Sequence, residues 1–278
     1  MPRPFISFVT DFGPDGPAPT CRGVMLSIAP DAQIVDVGHS IRKYAIRDGA
    51  FLLWSAVPYF PVGVHVGVVD PGVGTERRPI ALLAARGDRL VGPDNGLLMP
   101  AAERLGGVVD ARVLENRELW LPVTSSTFHG RDIFSPVAAH LANGTDFAAV
   151  GSTIPVADLA ALTMPTARVH DGWLETGVAF IDSFGNARLA GRPDDLAAAV
   201  GDLDGGRRLV VEIGGADDGV DGVDTVDLTW QRTFGRVDVG EPLLYEDSSG
   251  TISFADNQGD IASRLGLRVD QPIRIRAA

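Results

Sequence analysis

The run Val64 to Thr75, VHVGVVDPGVGT, constrains the fold more than any other stretch of this chain. It is β-branched and almost continuously apolar up to Asp70. It then turns on Pro71, Gly72 and Gly74, with Arg77 and Arg78 just beyond. A strand covered on both faces reads as such a Val-rich run, whereas a strand with one wet face alternates. The run therefore predicts an inner strand of a helix-covered sheet. In open α/β sheets, ligands gather outside the carboxyl ends of these strands. Asp70 stands at that edge, on a glycine turn that lets a ligand approach the backbone.

The rest of the first half supports the same reading. Phe5 to Val9 and Gln33 to Val37 read as strands, as do Ile80 to Ala84 and Arg89 to Val91. Helical patterns fall at Arg22 to Ala29, Ile46 to Val57 and Ile133 to Ala142. Strands alternating with helices predict a mostly parallel sheet covered by helices. Beyond about residue 165 the pattern changes to strand-like runs: Val169 to Ile181, Arg208 to Ile213, Thr225 to Trp230, Pro242 to Glu246, Thr251 to Ala255 and Arg268 to Ile275. Turn signals separate them and one short helix, Ile261 to Leu265, interrupts them, as in a small β-barrel. The expected organisation is an α/β domain over 1–165 and a smaller β-barrel domain over 166–278. The acidic, Gly-rich stretch Gly214 to Asp227 lacks the EF-hand order of carboxylates and is expected to be an exposed hairpin loop.

The chain has 278 residues, 45% of them hydrophobic, with a formal net charge of −12. That charge argues against a nucleic-acid surface and against an anionic membrane. A single cysteine, Cys21, excludes an internal disulfide and fits a reducing compartment. It falls in a helical pattern, where a buried structural thiol is expected. The N-terminal MPRPFISFVTDFG enters a strand at once and has no signal-peptide core. No run reaches the roughly 20 apolar residues of a membrane helix. A cytoplasmic location is expected.

Polar clusters interrupt the apolar runs. They are Thr10 to Gly13, Asp70 to Thr75, Pro93 to Gly96, Thr127 to Asp132 and, in the second half, Ile181 to Asn186. Asp11, Asp70 and Asp94 each follow an expected strand and are placed at one sheet edge. Asp-Gly and Asn-Gly pairs are also ordinary turn formers, and Asp94-Asn95-Gly96 fits either role. Asp70 with His129 points to chemistry, since acid–base groups concentrate in clefts. Asp11, Asp70, Asp94 and His129 would suit a hard divalent ion, but His-x-His, His-Glu-x-x-His and Cys clusters are absent from the sequence. So are the phosphate loop, the third glycine of a dinucleotide fingerprint and the Gly-x-Ser-x-Gly elbow.

The segments TDFG, CRGVMLSIAPDAQIVDVGHSI, VHVGVVDPGVGT-x-RR, PDNGLL, TFHGRDIFSPVAAHLA, ID-x-FGN and YEDSSG-x-ISFA-x-N, in this order, resemble the S-adenosyl-L-methionine (SAM) hydroxide adenosyltransferase family. These are adenosine-forming SAM hydrolases related to fluorinating and chlorinating enzymes. The resemblance runs from about residue 5 to about 275. It implies an α/β domain, a β-barrel domain, and a homotrimer whose active sites lie between subunits. The implied reaction is attack of water or hydroxide at C5′ of SAM, releasing adenosine and L-methionine without a cofactor or metal. The Asp-Arg-His triad of the family maps onto Asp70, Arg77 and His129, with Arg77 rather than Arg78 at the matching distance. His129 is the member that ordinarily titrates near physiological pH.

By the same resemblance, Asp11 is the ribose-diol carboxylate and Tyr44 an aromatic against the ribose. Asp182 and Ser248 bind the amino-acid end, and Asn186 reads adenine. Phe184 and Phe234 wall the adenine pocket, and Phe128 is counted with the substrate-binding set. Ser249 stands where the halogenating branch has an arginine for the methionine carboxylate. Three further departures are visible. The segment after TDFG carries Gly16 and Ala18 where an Asp and a Tyr are usual, with Asp15 shifted and Pro14, Pro17 and Pro19 added. The halogenases' insertion after Ala84 is missing, and Asp70 and His129 are hydrolase residues. The alternatives are a non-catalytic SAM or adenosine binder, a SAM-dependent halogenase and a metal-dependent hydrolase.

Overall fold

The Val-rich run forms β3 (Val64–Val68), buried at every position. In the computed structural model, which describes residues 3–204, 206–214 and 224–278, β3 lies between two parallel neighbours. These are β1 (Phe5–Thr10) and β5 (Arg89–Pro93). The full order is β2-β1-β3-β5-β4-β6, with β2 (Gln33–Gly38), β4 (Pro79–Ala84) and β6 (Val108–Val113). β4 runs antiparallel to both β5 and β6, so the sheet is parallel-rich with one reversed strand.

The sheet is covered on both faces, which is why its inner strands carry no polar alternation. On one face Ile6, Phe8, Val64, Val66 and Val68 pack with α1 (Ala18–Ile28) and α4 (Ser135–Ala142). On the other, Val9, Val69, Leu82 and Leu90 pack with α2 (Ile46–Ala56) and α3 (Met99–Arg104). Each valine of β3, fully buried, contributes about 1.5–3 kcal/mol relative to exposure. These elements belong to one compact unit, Met1–Leu162.

The second unit, Thr163–Ala278, is a barrel. Its ring runs β8 (Trp173–Ile181), β9 (Ala187–Leu189), β13 (Ile252–Asp256), β12 (Pro242–Glu246), β11 (Asp224–Trp230), β10 (Arg208–Ile213) and β14 (Pro272–Ala277), which pairs back onto β8. β7 (Arg168–His170) extends β8 outside the ring. Alternate residues such as Leu209, Val211 and Ile213 face the interior with Phe254 and Ile275, the period-two pattern of a barrel strand. α5 (Pro193–Val200) and α6 (Ile261–Leu265) pack against this core. Residues 215–223 of the expected acidic hairpin loop lie outside the described residues.

Several element boundaries differ from the sequence reading. α1 begins at Ala18 rather than Arg22, because Pro17 caps it and Pro19 occupies its first turn, where a proline's missing N–H costs nothing. Val169 to Ile181 is a hairpin, β7 and β8, turning at Asp171 and Gly172. The last strand starts at Pro272 rather than Arg268, after Asp270 at a left-handed φ of 71°. α5, unanticipated in the strand-rich half, has Pro193 in its first turn with Asp194 and Asp195, all favoured at a helix start. Among the described residues, no helix is long and apolar enough to cross a membrane.

Candidate active site

Because β1, β3 and β5 are parallel neighbours, their carboxyl ends deliver Asp11, Asp70 and Asp94 to one edge of the sheet. β4 is reversed, so Arg77 and Arg78, just before it, arrive at the same edge. The turn after β3 closes through Val73 N–H to the Asp70 carbonyl at 3.3 Å and Thr75 Oγ1 to the Gly72 carbonyl at 2.7 Å. Gly74 has a φ of 77°, and a Cβ there would lie 2.5 Å from the Ser126 carbonyl. Glycine at 74 thus lets the turn lie directly against the loop that carries His129.

Arg77 grips Asp70 in a fork, Nε to Oδ1 at 3.0 Å and Nη2 to Oδ2 at 2.5 Å. Its Nη2 also lies 3.1 Å from Nδ1 of His129. The side chains of Arg77 and Asp70 are 7% and 6% exposed. Nη1 of Arg77 is buried without a hydrogen-bond partner among the described residues. Burial raises the pKa of Asp70 above the ordinary carboxylate value and outweighs the attraction of Arg77. Burial and then Arg77 lower that of His129, against smaller opposing effects of Asp70 and Asp132. The pKa of His129 is thus held below the ordinary imidazole value of about 6.5.

His129 enters a π-helical turn, Gly130–Phe134, that runs into α4. Such wide turns recur at functional sites. A Cβ on Gly130 would lie 2.9 Å from the Phe12 ring, so glycine there admits Phe12 from the end of β1. Buried Asp132 braces the turn, accepting from Arg131 Nε at 2.6 Å and Ser125 N–H at 2.7 Å. Phe128 sits edge-on to Phe12 at 5.7 Å and under the Arg131 guanidinium at 4.9 Å. These contacts make Phe128 part of the packing that holds the turn.

Asp11 Oδ2 accepts the Tyr44 N–H at 3.0 Å. Tyr44 has φ 68°, unusual for a residue with a side chain, and is 70% exposed. Backbone strain of that kind clusters at ligand sites. Next to Asp11, Thr10 Oγ1 accepts the Phe12 N–H and lies 2.9 Å from Nδ1 of His39, which fixes the start of the TDFG turn.

In the second unit, the carboxylate of Asp182 is spent on its own turn. It accepts the N–H groups of Phe184 and Asn186 and the Asn186 side-chain amide, at 2.9–3.0 Å. Phe184 is thereby held 76% exposed, so it is not a core residue. Phe234 lies half-buried, 4.8 Å from the ring of Tyr245. Ser248 is exposed and Ser249 half-buried, on a loop organised by Asp247. Asp247 also pairs with Arg188 at 2.6 Å. Sequence reasoning missed Asp247, Arg188 and Asp132; a carboxylate beside Ser-Ser-Gly, or inside HGRD, is the signal that could have found the two acids.

The four candidate ligands for a hard ion, Asp11, Asp70, Asp94 and His129, are not gathered into one donor set. Among the described residues, no group of three or more His, Cys, Asp or Glu side chains could hold a metal.

A parallel-rich sheet whose carboxyl edge carries an Asp-Arg-His cluster, with a closed barrel in the same chain, defines a two-domain protein of distinctive plan. The SAM hydroxide adenosyltransferase N-terminal domain family matches residues 6–151, and the corresponding C-terminal domain family matches residues 176–274. The chain belongs to the SAM hydroxide adenosyltransferase family. It is 41% identical over 278 residues to an (R)-S-adenosyl-L-methionine hydrolase of Salinispora tropica, covering 99% of each chain. A fluorinase of Actinopolyspora mzabensis is more distant, 28% identical, with 98% of this chain and 97% of the relative covered. The crystal structure of an uncharacterized conserved protein from Thermotoga maritima superimposes with a TM-score of 0.86 at 35% identity, covering 98% of this chain and 99% of that one.

Proposed function

We propose that this protein hydrolyses SAM to adenosine and L-methionine by in-line attack of water at C5′, with Asp70, Arg77 and His129 as the catalytic residues. The observation that carries the reading is the buried fork by which Arg77 grips Asp70, with the Arg77 Nη1 left as a donor without a partner among the described residues and the pKa of Asp70 raised by burial. A buried cluster that holds both a guanidinium donor and a carboxylate acceptor has the two kinds of group an attacking water needs. The donor stabilises its developing negative charge, and the carboxylate takes its proton. The new C5′–O bond forms as the C5′–S bond breaks. The bonding pair goes to sulfur, which leaves as the neutral thioether of methionine. The water's proton passes to Asp70 and then to solvent.

His129 cannot take that proton at Nδ1, because Nδ1 accepts from Arg77. Arginine offers donors alone, so the imidazole proton sits on Nε2. His129 then acts by fixing Arg77 and by donating from Nε2. The reaction joins an oxygen nucleophile of developing negative charge to a sulfonium. Charge is cancelled along the path, so a dry site favours it.

The same carboxylate speaks against a halide nucleophile, since an ionised Asp70 repels chloride and fluoride from the place where water is held. A non-catalytic SAM binder would have no use for the buried Asp70–Arg77 fork. Asp11 is proposed to hold the ribose diol with Tyr44 beside it. Asn186, Phe184 and Phe234 are proposed to take adenine, and Asp182, Ser248 and Ser249 the amino-acid end. Phe128, packed edge-on to Phe12, is proposed to line the substrate pocket. We further propose a cytoplasmic homotrimer, with barrel residues supplied to each site by a neighbouring subunit, and a reaction independent of metal.

Incubating the purified protein with SAM, with and without EDTA, tests the reading. Equal amounts of adenosine and methionine, unaffected by EDTA, are expected. Intact SAM would contradict the hydrolase reading. Loss of turnover in EDTA would restore the metal-dependent one, and a monomer in sedimentation would overturn the trimer.

A further inference from the structure

The proposed reaction leaves one motif without a role, the turn Pro93-Asp94-Asn95-Gly96 at the end of β5. β5 lies between β3 and β4 in the sheet. Asp70 follows β3 and Arg77 precedes β4, so their ion pair spans the end of β5. With neighbouring strands about 4.8 Å apart, the two backbones that carry this pair stand on the order of 10 Å from each other. Whatever sits at the end of β5 is placed to fix that gap.

Two consecutive residues there reach out to opposite sides. Asn95 Nδ2 donates to the carbonyl of Val69, the residue before Asp70, at 2.9 Å. Its Oδ1 accepts the Leu97 N–H at 3.2 Å, so both ends of the amide are committed. Asp94 turns the other way, to the residue after Arg77. Its N–H donates to the Arg78 carbonyl at 2.9 Å, and its Oδ2 accepts Arg78 Nε at 2.8 Å and Nη2 at 2.5 Å. Asp94 Oδ1 accepts the Ala160 N–H at 2.9 Å, and Arg78 Nη2 also donates to the Asp158 carbonyl at 2.5 Å. The Asp94 side chain is 5% exposed. A carboxylate serving only as a turn former would bond its own turn; this one bonds other segments.

We propose that Asp94 and Asn95 are positioning residues that clamp the Asp70–Arg77 segment at its two ends. They set how the Arg77 fork meets Asp70 and His129. The clamp rests on the hydrolase reading above for its bearing on turnover. It also assigns the adjacent arginines. Asp94 engages Arg78 and keeps that guanidinium away from Asp70, which leaves Asp70 to Arg77. Two neighbouring arginines would otherwise compete for one buried carboxylate.

The test is Asn95→Asp, which keeps an acceptor for Leu97 and replaces the donor facing Val69 by an oxygen. We expect kcat to fall by roughly 10²-fold, the scale of a small misplacement of reacting groups, with KM changed by less than about threefold. The His129 ring, followed by proton NMR in the full-length protein, should titrate at a higher pH than in the parent. Arg77, the group pressing its protonated form down, is loosened, while Asp70 and Asp132 still face it. In an active parent, an unchanged kcat, or a kcat loss accompanied by an equal loss of SAM affinity, overturns the clamp. If the parent leaves SAM intact, the hydrolase reading falls by itself. An upward His129 shift in both Asn95→Asp and Asp94→Asn, which change the local charge in opposite senses, then still supports the clamp, and a titration unmoved or lowered in either overturns it. Should Asn95→Asp not fold, Asp94→Asn, which keeps its shape and loses the charge on Arg78, is read by the same criteria.

Discussion

Arg77 donates from Nη2 to Nδ1 of His129 across 3.1 Å. Because the guanidinium accepts nothing, this one contact sets the tautomer of the histidine and removes Nδ1 as a base. In the proposed reaction the proton-accepting role therefore goes to Asp70. A histidine in a hydrolytic cluster is ordinarily the first candidate for that role, so the assignment has consequences for pH and for mutation.

Turnover should show its limbs only on the acid side. Asp70 must be ionised to accept the proton, and burial places its pKa above the ordinary carboxylate value of about 3.9. Protonating His129 would break its bond to Arg77, but burial and Arg77 hold its pKa below the ordinary value of about 6.5. kcat/KM should rise with pH through both values and then level off, with no falling alkaline limb from either group. A pH profile of kcat/KM checks this; activity that falls as pH rises through the acid and neutral range contradicts the assignment.

The two residues should respond differently to the same conservative change. Asp70→Asn removes the acceptor and should lower kcat by about 10²–10⁴-fold, the range for a lost general base. His129→Asn keeps a polar partner near Arg77 and should retain measurable turnover with the acid limb in place. Steady-state kinetics on both variants decide, and a dead His129→Asn beside an active Asp70→Asn would reverse the roles.

Gly74→Ala should be costly through a clash within the protein itself. A methyl group there meets the Ser126 carbonyl at 2.5 Å, at a φ of 77°. Relieving the clash means parting the Asp70 turn from the His129 loop. The expected cost is about 1–3 kcal/mol in chemical denaturation, as for strained left-handed positions, with a fall in kcat. Wild-type stability and activity in this variant would show that the two segments are not held by this contact.

Cys21 should be chemically silent. It is fully buried, and burial pushes its thiol up to about 11, so almost no thiolate exists at neutral pH. A thiol reagent should react only after unfolding, and Cys21→Ala should keep full turnover at a stability cost of about 1 kcal/mol. Fast labelling of the native protein, or loss of activity in the variant, would give the thiol a role that this account denies it.

Much of the fold was legible because its strongest signals are long-range burial patterns. The unbroken run Val64 to Val68 read as a strand covered on both faces, and it is one. The placement of Asp11, Asp70 and Asp94 at one edge followed from three parallel strands. What escaped depends on pairings between distant residues. Nothing in the spacing of Pro93 to Gly96 says that Asn95 reaches Val69 and Asp94 reaches Arg78. Nor does spacing say that Asp182 accepts the N–H groups of Phe184 and Asn186. The reversed direction of β4, which brings Arg77 to the edge, is likewise a matter of topology that local pattern does not carry. α5 escaped because its helix-start signals sit among strands.

The central claim, water attacking C5′ beside Asp70, is tested most directly by running the reaction in heavy-oxygen water and weighing the products. The account predicts that adenosine gains one solvent oxygen at its 5′ hydroxyl while methionine gains none, and that formation of both slows by about 10²–10⁴-fold with Asp70→Asn. Unlabelled adenosine, or a 5′-halogenated nucleoside when chloride or fluoride is present, would contradict it.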